Sequence, residues 1–142
     1  SGDTSAGGLS RLDWALSEGF DAVIVELGAN DGLRALEPQQ TYQNLDVILG
    51  QLSERGLAVL LTGMQAPPNL GPEYGEEFSA IYPQLAKKYN VELYPFFLEG
   101  VAAIPELNQE DTIHPNAKGV GIIVKSILPY VKKVLKKVEA KG

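Results

Sequence analysis

The sequence predicts an α/β fold, a three-layer α/β/α sandwich built around a central parallel sheet. Short apolar runs rich in β-branched residues occur at 20–27, 57–64 and 91–97, and such runs are typical of strands buried on both faces. A segment with apolar residues at helical spacing follows each run. Because strand–helix–strand crossovers are right-handed and join parallel strands, this alternation predicts a single parallel sheet.

Four helices are predicted around these strands. The first covers 9–16 and ends at Gly19, and the second covers 38–54 and ends at Gly56, since glycine commonly terminates helices. The third covers 73–90, where Pro83 is expected to kink or shorten it. The last runs from about 116 to 137, and its expected buried stripe is Ile127, Val131, Val134, Leu135 and Val138.

The length, composition and charge of the chain argue against several classes of protein. The chain has 142 residues, which fits one domain, 1–142, and contains no cysteine. Twelve lysines and arginines against eighteen aspartates and glutamates give a net charge of −6, which argues against a nucleic-acid partner. No apolar stretch approaches the roughly 20 residues of a membrane span. The lysine-rich C-terminus is interpreted as a solvated helix face.

The only histidine, His114, follows Asp111 by three residues. Histidine is the commonest acid–base group near neutral pH, and a neighbouring carboxylate can orient it. The pair is therefore a candidate catalytic site. The alternative is that Asp111 caps a turn and His114 is an ordinary surface residue.

A second candidate site follows the first predicted strand, where 28–32 is expected to form a loop. An amide side chain such as that of Asn30 can donate a hydrogen bond to a developing oxyanion. The alternative is an Asn-Asp turn that caps the next helix. Ligands of open parallel sheets bind beyond the carboxyl ends of the strands, where both candidate sites are expected to lie.

Together these segments resemble the SGNH (GDSL-type) hydrolases, in the branch of acyl-CoA thioesterase I, lysophospholipase and arylesterase enzymes. Three of the four signature blocks of that family have counterparts here, in the family's order, at 1–5, 25–34 and 111–116. The resemblance covers essentially the whole chain. It implies a flavodoxin-like sandwich and a serine esterase or thioesterase that needs neither metal nor cofactor.

The resemblance also implies residue roles in hydrolysis of an acyl ester or thioester through an acyl-serine. Asp111 and His114 would be the catalytic acid and base, and Gly2 and Asn30 would supply the oxyanion hole. The loop 65–75 would line an acyl pocket with Pro67, Pro68 and Leu70. A stiff surface loop explains those three residues equally well.

The family's first block, which carries the nucleophilic serine, has no counterpart here. Gly2 and Asn30 are 28 positions apart, as expected for the second and third blocks, so the first block belongs one βα unit upstream. The domain is therefore expected to be N-terminally incomplete and inactive alone. The nucleophile would lie on a separate N-terminal fragment, on an upstream segment, or on a segment that has been deleted.

Three alternatives remain. A non-catalytic flavodoxin-like binding module predicts that Asp111, His114 and Asn30 do not converge. A carbohydrate acetyl esterase of the same superfamily would differ in pocket shape, and a receiver-type phosphoryl-transfer protein would need a lysine near a strand end. The resemblance favours a periplasmic or secreted location.

Overall fold

A computed structural model of the chain describes residues 2–142, so Ser1, the first residue of the 1–5 motif, lies outside the described residues. Its sheet has three parallel strands, β1 (Ala22–Val25), β2 (Ala58–Thr62) and β3 (Glu92–Tyr94), in the order β1-β2-β3. The predicted parallel sheet is thus confirmed. Ala22 pairs with Ala58, and Leu61 pairs with Leu93.

The strands differ in burial. All five residues of β2 are buried, as the sequence predicts for a central strand. The prediction that the first strand is buried on both faces is wrong, because Ile24 in β1 is 52% exposed. Ala22, which shares the Ile24 face, packs against residues of the C-terminal helix, whereas the described helices leave Ile24 open.

The helices are α1 (Ser5–Ser10), α2 (Leu12–Ala15), α3 (Ala29–Leu33), α4 (Pro38–Glu54), α5 (Pro72–Tyr89) and α6 (Ala117–Lys141). Two short 3₁₀ turns cover Pro68–Leu70 and Pro105–Leu107.

Several helix predictions need correction. The chain breaks the predicted 9–16 helix at Arg11, and α1 begins earlier because Thr4 caps it by accepting from the Gly7 N–H. The loop predicted at 28–32 contains the helical turn α3. Helix α5 continues through Pro83 without ending there. Pro83 and Ser79 both face solvent, so water can satisfy the Ser79 carbonyl that loses its donor.

The helices lie in two layers. Residues of α2, α4 and α5 pack against one face of the sheet around Val25, Val59 and Leu61. On the other face α6 packs over Ala58, Leu60 and Tyr94 through Val134. Leu135, which was predicted to be buried, is exposed, because it lies beside the face of α6 that packs on the sheet and not within that face. No helix within 2–142 is long and apolar enough to cross a membrane.

Candidate active site

Both candidate sites lie at the carboxyl edge of the sheet. The Gly28–Asn30 segment begins three residues after the end of β1. At the far end of α6, Lys141 Nζ donates to the carbonyl of Gly56, just before β2 begins. Helix α6 has 25 residues and rises about 1.5 Å per residue. Its first turn therefore lies at the other end of the strands from Gly56, which is the carboxyl edge of the sheet. His114, three residues before that turn, lies there too.

Asp111 and His114 are in contact. His114 Nδ1 lies 2.6 Å from Asp111 Oδ2, so the carboxylate accepts from the ring and the neutral imidazole carries its proton on Nδ1. The lone pair is then on Nε2, the nitrogen that a general base uses. The His114 side chain is 57% exposed, so a substrate or a second protein segment can reach it.

The backbone of the loop also holds the Asp111 carboxylate. Asp111 Oδ1 accepts from the N–H groups of Ile113 and His114, both at 3.0 Å. These bonds require a sharp turn, and Thr112 makes it with a positive φ of 61°. One carboxylate therefore fixes both the loop backbone and the imidazole.

These contacts change the acidity of Asp111. The hydrogen bonds from the His114 N–H, the His114 ring and the Ile113 N–H lower the pKa of Asp111 to about 2, because each stabilises the charged form. Asp111 is therefore ionised at neutral pH, and its negative charge lies beside the His114 ring.

Two flanking asparagines hold the 109–115 loop in place. Asn108, which is buried, donates to the carbonyls of Val101 and Ile104. The Asn116 amide donates to the carbonyls of Glu106 and Asn108. The sequence placed Asn116 in the 111–116 block, but it gave no signal for Asn108 or for the partners of either asparagine, because these lie in a segment without periodic pattern.

The Gly2 and Asn30 segments also come together. Asn30 Nδ2 donates to the Asp3 carbonyl at 3.1 Å, and the Arg34 guanidinium donates to the Gly2 carbonyl at 3.3 Å. The hydrogen bonds of residues 2–142 do not join this group to the Asp111–His114 pair. Both groups nevertheless face the same edge of the sheet.

The turn before Asn30 requires glycine. Gly28 has a φ of 109°, and a Cβ there would lie 2.0 Å from the Tyr82 hydroxyl, which donates to the Leu27 carbonyl. Any side chain would displace that hydroxyl and redirect α3, which carries Asn30.

Asp31 was not selected from the sequence. It lies beside Asn30, is 1% exposed, and binds Ser5 and Thr41. Its partners are 26 and 10 residues away, so no local motif could have indicated them.

The predicted pocket residues Pro67, Pro68 and Leu70 form or adjoin one 3₁₀ turn. Two surface clefts lie instead near the starts of β1 and β2, at the opposite edge of the sheet, and neither is lined by these three residues. Within 2–142 no three His, Asp or Glu side chains cluster as a metal site requires.

The chain is similar to several known proteins. Residues 1–122 match the family model described as the GDSL-like Lipase/Acylhydrolase family. The chain is 45% identical over 136 residues to Esterase TesA of Pseudomonas aeruginosa, covering 95% of this chain and 68% of that protein. It is 50% identical over 117 residues to Thioesterase 1/protease 1/lysophospholipase L1 of Escherichia coli K12, covering 82% of this chain and 56% of that protein.

A solved structure agrees with these matches. The crystal structure of TesA superposes with a TM-score of 0.88 at 44% identity, covering 94% of this chain and 75% of that one. The chain thus spans about half to three quarters of the proteins it matches. On its fold and on these matches, the chain belongs to the GDSL-like lipase/acylhydrolase family of SGNH hydrolases.

Proposed function

We propose that this chain is the larger part of a serine esterase or thioesterase that hydrolyses acyl esters or thioesters through an acyl-serine intermediate. One observation carries the proposal. The Asp111–His114 contact lies at the same sheet edge as the Gly2–Asn30 group. An acid–base pair and an oxyanion site at one edge are what acyl transfer needs.

His114 is the proton carrier in this mechanism. Its Nε2 removes the serine hydroxyl proton while the serine oxygen attacks the acyl carbonyl carbon. The tetrahedral intermediate then collapses, the C–O or C–S bond breaks, and the leaving alcohol or thiol takes the proton from His114. Water repeats the sequence on the acyl-serine and releases the acid. Asp111 stabilises the imidazolium in each half-reaction.

Gly2 and Asn30 stabilise the oxyanion. A primary amide has two N–H donors, and Asn30 uses one on the Asp3 carbonyl. That bond fixes the amide plane and leaves the second N–H for the substrate oxygen. Removal of one such donor typically costs about 2.7–4 kcal/mol of transition-state stabilisation, so Asn30→Ala is expected to lower kcat by two to three orders of magnitude.

The nucleophilic serine is assigned to a segment outside this chain. Ser5 is fully buried, and its hydroxyl donates to Asp31. Ser10 and Ser79 each donate to a carbonyl of their own helix. These three hydroxyls are held by structural hydrogen bonds, and none of the three bonds is to His114. The chain alone is therefore expected to be inactive.

The open surfaces suggest where the outside segment binds. Strand β1 is at the edge of the sheet, and its Ile24 is exposed. An exposed apolar stripe on α6, at Val124, Leu128 and Leu135, adjoins Val131, which packs on the sheet against the cluster that contains Ala58 and Leu60 of β2. One parallel strand followed by a helix would cover both surfaces and complete the second layer of the sandwich. We assign that role to an N-terminal segment and treat 1–142 as the rest of the same domain.

The substrate is assigned only by class. The names of the matched relatives include esterase, thioesterase and lysophospholipase. The apolar turn at Pro67, Pro68 and Leu70 is the proposed wall for the acyl chain, and it would close a pocket only together with the outside segment.

The decisive experiment combines intact mass under denaturing conditions, hydrolysis of p-nitrophenyl esters and labelling with a fluorophosphonate. We expect hydrolysis only when a second fragment or upstream segment is present, and we expect the label on a serine outside 1–142. His114→Ala and Asp111→Asn should abolish hydrolysis. The matched control is Asp13→Asn, which removes an aspartate bonded to Arg55 on the surface and should leave the rate unchanged.

Two results would contradict the proposal in different ways. A label on a serine within this chain would disprove the assignment of the nucleophile and leave esterase function intact. Full hydrolysis by His114→Ala would disprove the catalytic role of the Asp111–His114 pair.

A further inference from the structure

Asp31 is a buried carboxylate with an unusual set of partners. It is 1% exposed. Its Oδ1 accepts from the Ser5 N–H at 2.7 Å, and its Oδ2 accepts from the Ser5 hydroxyl at 2.6 Å and from the Thr41 hydroxyl at 3.0 Å. Ser5 Oγ in turn accepts from Asn44 Nδ2 at 3.0 Å. A buried carboxylate is costly unless such donors surround it.

The position of these bonds links two distant parts of the chain. Ser5 is the first residue of α1 and follows directly on the Gly2–Thr4 segment. Asp31 follows Asn30 in α3. The two bonds between Ser5 and Asp31 therefore join the segments that carry Gly2 and Asn30, the two proposed oxyanion donors.

The chemistry of a carboxylate suits this junction. All its hydrogen-bonding sites accept, and its three partners all donate. An asparagine of the same size replaces one charged oxygen by an NH₂ group, so either the Ser5 N–H loses its acceptor or the Ser5 and Thr41 hydroxyls must rotate to accept instead of donating. Asp31→Asn therefore changes the junction with little change in volume.

We propose that Asp31 is a positioning residue that sets the distance between the Gly2 N–H and the Asn30 amide, and thereby the geometry of the oxyanion hole. This inference rests on the proposed function. Asp31 touches no reacting atom, and it acts through the Ser5 backbone on one side and through α3 on the other.

The kinetic test uses the complete protein, with the outside segment present, and a p-nitrophenyl ester. Asp31→Asn should lower kcat roughly 10- to 100-fold with KM changed less than about twofold, because misplaced donors weaken transition-state binding. Thr41→Val, which removes one donor isosterically, should have a smaller effect in the same direction. The matched control is Thr62→Val. Thr62 is equally buried and its hydroxyl bonds the Val25 carbonyl, so this variant should keep kcat.

A double-mutant cycle separates positioning from stability. In the Asn30→Ala background, Asp31→Asn should lower kcat at least several-fold less than it does alone, because one of the two donors that it positions is already gone. Equal losses in both backgrounds, or an equal loss of kcat in Thr62→Val, would overturn the proposal and leave Asp31 with a purely structural role.

An NMR measurement keeps the test independent of catalysis. The two Asn30 side-chain amide proton signals should shift or broaden in Asp31→Asn and stay unchanged in Thr62→Val. Unchanged signals in Asp31→Asn would disprove the positioning role whatever the activity. If wild type and His114→Ala hydrolyse esters equally, the proposed function fails, and the NMR result still decides the role of Asp31.

Discussion

In the 109–115 loop, one strained residue, Thr112, allows several hydrogen bonds to form. Thr112 is β-branched, and its φ of 61° lies in the left-handed region that such residues avoid. The turn that it makes brings the N–H groups of Ile113 and His114 onto Asp111 Oδ1. The strain is thus offset by the hydrogen bonds that hold the carboxylate beside the imidazole.

Replacing Thr112 should stabilise the protein. Thr112→Gly is expected to raise the free energy of unfolding by about 1 kcal/mol, since glycine adopts a positive φ without the roughly 1–2 kcal/mol penalty of other residues. Thr112→Ala, which keeps the Cβ, is the matched control and should gain less. Chemical denaturation of the three proteins measures the difference. A glycine variant that is less stable than wild type would show that the turn is not strained.

The Asp111 contacts also predict a pH dependence. The pKa of Asp111 is lowered from 3.8 to about 2 by its hydrogen bonds to His114 and Ile113. A lowered folded-state pKa adds stability that is complete above the unfolded value and is lost as the pH falls toward the folded value. The stability advantage of wild type over Asp111→Asn should therefore shrink between about pH 4 and pH 2.

The carboxyl ¹³C shift of Asp111 provides the direct measurement. It should still report the ionised form at roughly pH 3 and reach its midpoint near 2. A midpoint at or above the ordinary value would mean that the loop contacts do not form in solution.

At the scale of elements, the start of α6 determines the position of the 109–115 loop. Asn116 caps the helix by accepting from the N–H groups of Lys118 and Gly119. Its amide reaches back to the carbonyls of Glu106 and Asn108. The same side chain therefore begins the helix and closes the loop that carries Asp111 and His114.

Two variants separate these roles of Asn116. Asn116→Ala should lose about 1 kcal/mol of stability with the cap and also loosen the loop. Asn116→Asp keeps the capping oxygen and loses the amide donors, so it should retain most of the stability while amide hydrogen exchange at 109–114 becomes faster. Equal exchange in Asn116→Asp and wild type would show that the amide does not hold the loop.

Local chemistry made some elements predictable from the sequence. Helix α4 (Pro38–Glu54) has the predicted bounds, because a proline in its first turn and Gly56 after its end are signals that the chain carries itself. The exposure of Ile24 was unpredictable, because it depends on which helix covers which strand. The partnership of Asp31 with Ser5 depends on contact between residues 26 positions apart, and a single sequence contains no signal for it.

At the scale of the whole molecule, the uneven covering of the sheet is the dominant feature. Residues of α2, α4 and α5 pack on one face, and α6 is the main cover of the other. An α/β sandwich normally buries both faces of its sheet. The proposed strand–helix segment would restore that balance over β1 and the flank of α6.

A charge on the open face should block this assembly. Ile24→Lys is expected to weaken association of the chain with a separately produced N-terminal segment by at least tenfold, because a buried unpaired charge is costly. Val47→Lys is the matched control, since Val47 is similarly exposed, at 46%, on α4. Titration calorimetry or restored ester hydrolysis measures the association. Equal weakening by both variants would place the contact elsewhere.

The open side of β1 also affects how the chain behaves alone. An edge strand presents unpaired N–H and C=O groups that can template the addition of further strands, and proteins usually protect such edges. Here exposed Ile24 lies on that edge strand, and we expect the isolated chain to aggregate in light scattering and the assembled protein to remain dispersed. Colloidal behaviour would then report on assembly before any substrate is added, and a fully monodisperse isolated chain would show that the edge is already protected.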